Sequence, residues 1–185
     1  FLRPNTDILV VMDYPSVNDI KGLSLQDSNA VSFLRDQFRR HNVEGVVSYH
    51  QLFDEALRGI DLVETYVATT KADKKTAIER HGVYLRPEIE SSMLLLDEVV
   101  EKTQPKVILC MSVLALAWWF GGVSLDAWRG SMLYNGKCNV VVSLDIYALY
   151  KRDEMYMAWT ADLQRVNVGL EHSFENDLDS FNIKI

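Results

Sequence analysis

Two aspartates raise the question of chemistry first. Asp13 follows the apolar run at residues 8–12, and Asp145 follows NVVVSL at residues 139–144. Each therefore ends a stretch that reads as a buried strand. If the two strands run the same way, both carboxylates lie at one edge of a sheet. There they could share a metal or divide general acid and base roles. Aspartate serves equally well as the cap of a turn or helix, and the residues alone leave both readings open. Ser48, His50, Thr69, Lys71 and Ser112 fall at the ends of other apparent strands. His50 is a candidate base or an ordinary loop histidine. The stretch TTKADKK at 69–75 offers hydroxyl and ammonium donors that suit a phosphate backbone, or simply a solvated charge run. Trp128-Arg129-Gly130 reads as a turn whose exposed arginine, beside an aromatic, could meet phosphate or the face of a base. Trp118 and Trp119 read as packing at a helix end, and Cys110 as a small core hydrophobe.

The elements that must position these groups alternate. Residues 7–30 read as a buried strand, a loop stiffened by Pro15, and the start of a helix, the junction at which open α/β sheets hold ligands. From Ser28 onward, Ala30, Val31, Leu34 and Phe38 follow helical spacing. Residues 43–49 read as a second strand, 52–59 as a helical turn, and the alternating 61–68 as a third strand. Pro87 suits the first turn of a helix that Pro105 stops. KVILCM at 106–111 is a fourth strand, after which Ser112 caps VLALAWWF and Gly121-Gly122 ends it. Residues 139–144 form a fifth strand, and a last helix runs from about 153 to 166. The pattern predicts an α/β fold, three layers α/β/α with a mainly parallel central sheet. A single domain over 1–170 is expected, with an acidic C-terminal tail over 171–185.

Composition narrows the classes. The 185 residues are 48% hydrophobic with a formal charge of −7, enough to bury one substantial core and too acidic for a generally nucleic-acid-coating surface. A local basic groove stays compatible with that balance. No run approaches the roughly 18 apolar residues of a membrane span, so no membrane partner is expected. Two isolated cysteines point to reduced thiols and a cytoplasmic setting. They also leave no four-cysteine metal or iron–sulfur site, and with those cluster ligands missing no cofactor is expected. The chain begins at Phe1 rather than Met, which fits trimming or excision from a longer polypeptide. The phosphate-loop, GxGxxG, GxSxG and HExxH patterns are all missing.

Several segments, in order, resemble the uracil-DNA glycosylase superfamily, particularly its iron–sulfur-type branch (family 4). Met12-Asp13-Tyr14-Pro15-Ser16, followed by Gly22-Leu23-Ser24-Leu25, corresponds to that family's GEAPG and G-x-P-F-V-G. Thr65-Tyr66-Val67-Ala68-Thr69 corresponds to N-V-V-K-C. The stretch EVVEKTQPKVILCMSVLALAWWFGG is similar to I-x-x-x-x-P-K-V-I-V-x-L-G-x-x-A-x-x-x-L-L-G, and Trp128-Arg129-Gly130-Ser131 matches L-R-G. Residues 144–151 fall on Y-H-P-S-x-L-L-R. The single motifs are short; their order and spacing over residues 8–166 carry the likeness.

The resemblance implies a uracil-DNA-glycosylase-like fold and an enzyme that flips a base out of DNA and hydrolyses its glycosidic bond. It places Asp13 at the water-activating position and Asp145 where the family has a histidine that stabilises the departing base. It also implies a base pocket of Tyr14, Pro15, Leu25 and Thr65, and DNA contacts from Thr69, Lys71, Arg129, Gly130 and Lys151. The chain departs from the pattern where chemistry is done. Leu25 replaces the stacking phenylalanine, Thr65 the reading asparagine, and Asp145 the histidine; the cluster cysteines are gone. Losing one donor to a developing anion costs on the order of 100–1,000-fold in rate, and here the sign of the charge is reversed as well. The expected function is a DNA-associated, catalytically impaired module of a replication or repair assembly, with DNA and a protein partner, of viral origin and working in a bacterial host's cytoplasm. The alternatives are an active glycosylase that removes uracil or a modified base, and a protein-interaction domain without DNA contact.

Overall fold

The computed structural model describes residues 2–14, 28–54, 60–151 and 153–172. Pro15, Gly22, Leu25, residues 55–59 of the expected turn and the tail from 173 lie outside the described residues, as does the side chain of Lys151. The chain runs β1 (Ile8–Met12), α1 (Asn29–Arg40), β2 (Val47–Gln51), α2 (Leu62–Tyr66), β3 (Ile78–Arg80), β4 (Val83–Leu85) and α3 (Glu90–Thr103). It continues through β5 (Val107–Met111), α4 (Val113–Phe120), α5 (Leu125–Trp128), β6 (Met132–Tyr134), β7 (Asn139–Val142), α6 (Ile146–Lys151) and α7 (Tyr156–Glu171).

The central sheet has the order β2-β1-β5-β7-β6, parallel except for β6, which pairs antiparallel with β7. Its inner strands are apolar runs, apart from Asn139 at the start of β7, because both faces are covered. Successive side chains alternate between two cores. Ile8, Val10, Met12, Val107, Leu109 and Met111 pack with α1 and α7. Leu9, Val11, Ile108, Cys110, Val140 and Val142 pack with α3 and α4. The layers are thus helix, sheet, helix. On the first face Trp159 of α7 is buried and donates its indole N–H to Gln37 Oε1 of α1 at 3.1 Å, so neither polar group is left unmatched. Gly169 lets α7 lie close on the sheet, since a Cβ there would meet Val107 Cγ2 at 3.0 Å.

Register aligns the strand ends. Met12 lies opposite Gln51 and Met111, and Cys110 opposite Val142. The residues that follow, Asp13, Ser112 and Ser143, therefore emerge at one edge.

Three expectations are corrected. Residues 61–68 form a helix and a bridge rather than a strand. Asp61 Oδ1 accepts from the N–H groups of Val63 and Glu64 and caps α2, and only Val67 pairs strand-like, with Leu85. Local capping wins over alternation there. The second strand begins at Val47, four residues later than expected. The strands β3, β4 and β6 were not anticipated; each is three residues long. The turn between β3 and β4 packs on the end of α4. Gly121, at φ +75, closes that helix where a Cβ would sit 2.6 Å from the His81 carbonyl oxygen.

Candidate functional site

The aligned strand ends open into a cleft of about 330 Å³ whose lining includes Asp13, Tyr14, Asp61, Ser124, Asp126 and Asp145. Four carboxylates around one opening make it strongly acidic. The two aspartates singled out from the sequence do meet here, together with Tyr14.

Asp13 is buried at 6% exposure and both its oxygens are used. Ser112 Oγ donates to Oδ1 at 2.5 Å and the Val113 N–H donates to Oδ2 at 3.0 Å. The Ser112 hydroxyl also accepts from the Ala115 N–H at 3.0 Å, so it relays the cap of α4 onto the carboxylate. A helix N-terminus favours negative charge, yet burial outweighs these bonds and pushes the Asp13 carboxyl up to about 6. The nearby charge of Asp145 pushes the same way. Asp145, half-buried, accepts from the Ala148 N–H at 2.8 Å and caps α6. Both aspartates are therefore helix caps as well as cleft walls.

Thr65 does not join them. It is exposed on α2 and donates its hydroxyl to the Asp61 carbonyl oxygen at 2.7 Å. The cleft takes Asp61, Leu62 and Val63 instead, because α2 begins at the cleft and runs away from it. Thr69 and Lys71 are exposed beyond α2 and do not line the cleft. Their loop is partly tied down: Thr70 Oγ1 accepts from the Asp73 N–H at 3.1 Å, and Lys74 lies 4.7 Å from the centre of the Tyr84 ring.

Arg129 is not the exposed arginine expected from its turn. It is 27% exposed and reaches inward to Asp162 Oδ1 at 3.3 Å. Asp162 is fully buried, accepts from Ser143 Oγ at 2.7 Å and has Arg165 at 3.9 Å. Burial raises its carboxyl pKa, against the pull of Ser143 and the two arginines. Gly130, at φ +77, donates its N–H to the Val142 carbonyl, which brings the 128–130 turn back onto β7.

Ser48 belongs to the opposite edge, since it pairs with Leu9 and hydrogen-bonds Thr6 at 2.6 Å. His50 does not line the cleft; burial pushes its imidazole down to about 4, so it is neutral at pH 7. Cys110 and Cys138 are both buried, and burial pushes both thiols up to about 12.

The residues that sequence reasoning missed are Asp61, Ser124 and Asp126. The first carried a signal, since Asp61 with Glu64 three residues on is a helix-start pattern. Ser124 likewise caps α5 by accepting from the Ala127 N–H. Chemically, the cleft suits a cationic or donor-rich group and disfavours phosphate. Among the described residues no group of three or more histidine, cysteine or acidic side chains is placed to hold a metal. No family model matches this chain, and no curated protein matches it.

Proposed function

We propose that this chain is a DNA-associated module of uracil-DNA-glycosylase-like type that no longer excises uracil, serving as an accessory domain or subunit in replication or repair. One observation carries the loss of chemistry. The carboxylate at the water-activating position is engaged on both oxygens by the start of α4, and the group across the cleft is a second carboxylate rather than a donor. A departing uracil anion would meet repulsion where the reaction requires stabilisation. The order of β1 and α1 supports the resemblance, as does the meeting of Asp13, Tyr14 and Asp145 at one edge.

A second reading, an active glycosylase for uracil or a modified base, has one observation in its favour. A carboxyl lifted to about 6 in a cleft is in the range of a general base near neutral pH. Incubation with single- and double-stranded oligonucleotides carrying uracil or modified bases separates the two. The first reading predicts salt-sensitive binding and no abasic sites. Abasic sites that vanish with Asp13→Asn establish the second.

A further inference from the structure

We propose that the groove between α1, the loop after it and β2 seats phosphates of a nucleic-acid backbone on Arg3, Arg35 and Arg39. The groove holds about 540 Å³ and is lined by these three arginines together with Asn42, Glu44 and Tyr49, among others. Arg35 and Arg39 stand one helical turn apart, on the same face of α1. Arg3 arrives from a separate segment that the fold pins in place. Its N–H donates to Ser48 Oγ at 2.8 Å, its carbonyl accepts from Thr6 Oγ1 at 2.7 Å, and Ser48 and Thr6 are both buried. The Ser48 hydroxyl, remote from the cleft, thus has a role in holding the segment before β1 that carries Arg3.

Tyr49 forms the floor at 1% exposure. Arg35 and Arg3, from different segments, line the same groove as Tyr49 and both charges act on its phenol. Burial holds the phenol up to about 12, leaving it a neutral hydroxyl at working pH. The opposing carboxylates are accounted for. Glu44 lines the groove, and Asp36 is taken by Arg39 at 2.8 Å and Arg40 at 2.6 Å. With Asp36 shared between Arg39 and Arg40, the groove's lining still carries three arginines and one carboxylate, a locally positive balance on a chain whose net charge is −7. The planar guanidinium fork fits phosphate oxygens in pairs, which ammonium groups cannot match.

Position completes the argument. Because α1 returns antiparallel to the strands, its last turn and the start of β2 lie at the amino edge of the sheet. The acidic cleft lies at the other edge, roughly 15 Å away along a five-residue strand. Strand β2 is an edge strand, so the groove is open along the flank. A backbone seated there keeps its phosphates clear of the cleft carboxylates. The nature of the ligand rests on the DNA-associated reading; the anion site itself rests on the groove.

Anisotropy of labelled single-stranded and duplex oligonucleotides over a salt series tests this. The proteins to compare are wild type, Arg35→Gln, Arg35→Glu, Arg3→Ala, and Lys71→Glu/Lys74→Glu, each checked for an unchanged circular dichroism spectrum. Arg35→Glu is expected to weaken binding on the order of 10-fold, and each arginine removed to lower the salt slope by about 1. The lysine variant is expected to bind within about twofold of wild type. Loss of binding in the lysine variant with none in the arginine variants overturns the groove and leaves the DNA-associated reading standing. A parallel titration with inorganic phosphate, read from arginine side-chain NMR signals, covers the remaining cases. Phosphate bound by wild type but not Arg35→Gln, with no oligonucleotide bound, supports the anion site and overturns the nucleic-acid ligand. Neither bound overturns the proposal.

Discussion

Asp13 and Asp162 are both buried at the carboxyl edge of the sheet, and their partners differ in kind. Asp162 faces cations: Arg129 at 3.3 Å and Arg165 at 3.9 Å, with Ser143 at 2.7 Å. Among the described residues Asp13 is bonded by neutral donors, the Ser112 hydroxyl and the N-terminus of α4, with the carboxylate of Asp145 across the cleft. Burial raises both carboxyls, but the consequences separate. Removing Asp162 strands a partly buried guanidinium, whereas removing Asp13 costs a helix cap. Protonation of Asp13 leaves no uncompensated cation behind. The pair shows how one sheet edge can hold an ion pair that locks the fold beside a carboxylate that titrates.

The largest effect that would break this comparison is in stability. Asp162→Ala should cost about 3 kcal/mol in urea unfolding, the low end for breaking a buried pair because Arg129 is partly solvated. A loss below about 1 kcal/mol would place Arg129 in water and remove the contrast. Asp13→Ala should cost less, about 2 kcal/mol, from the lost cap and an unmatched Ser112 hydroxyl.

The pH response sharpens the difference further. The native Asp13 carboxyl, lifted to about 6 from 3.8, holds a proton that the unfolded chain has released across that window. Its contribution to stability therefore falls as pH rises from about 4 to 6 and is level above, by at most about 1.4 kcal/mol per pH unit. Asp13→Asn removes that slope. The stability difference between wild type and Asp13→Asn, followed by denaturant melts from pH 4 to 7, should change in that window and nowhere else. The smallest effect concerns Thr65. Thr65→Ala should change stability by less than about 0.5 kcal/mol and leave oligonucleotide binding unchanged, because its hydroxyl only closes a turn of α2.

Much of the fold is legible in the residues, for identifiable reasons. β1 and β5 are unbroken apolar runs and β7 is one after Asn139, which in a chain this size means strands covered on both faces. α1 and α3 show helical spacing between clear end signals. Residues 61–68 mislead because their alternation fits a strand while Asp61 and Glu64 mark a helix start, and the capping bonds decide it. The strands of the hairpin Ile78–Leu85 and strand β6, three residues each, are too short to announce themselves. For the site, Asp13 and Asp145 are visible because strand ends in a parallel sheet share an edge. Arg129 is misread because its partner, Asp162, lies 33 positions on and only the packing of α7 against β7 joins them. The arginine groove is equally hidden, since Arg3 and Arg35 come to line one groove only when the segment before β1 is tied to Ser48 of β2.

The central claim is that Asp13 is a cap of α4 and not a water-activating base. A single-turnover assay with protein in excess over a uracil-bearing single-stranded oligonucleotide, comparing wild type with Asp13→Asn, meets it most directly. The account predicts the same background release of uracil from both proteins and from buffer alone. Release by wild type above that background, abolished in a folded Asp13→Asn protein, would contradict it.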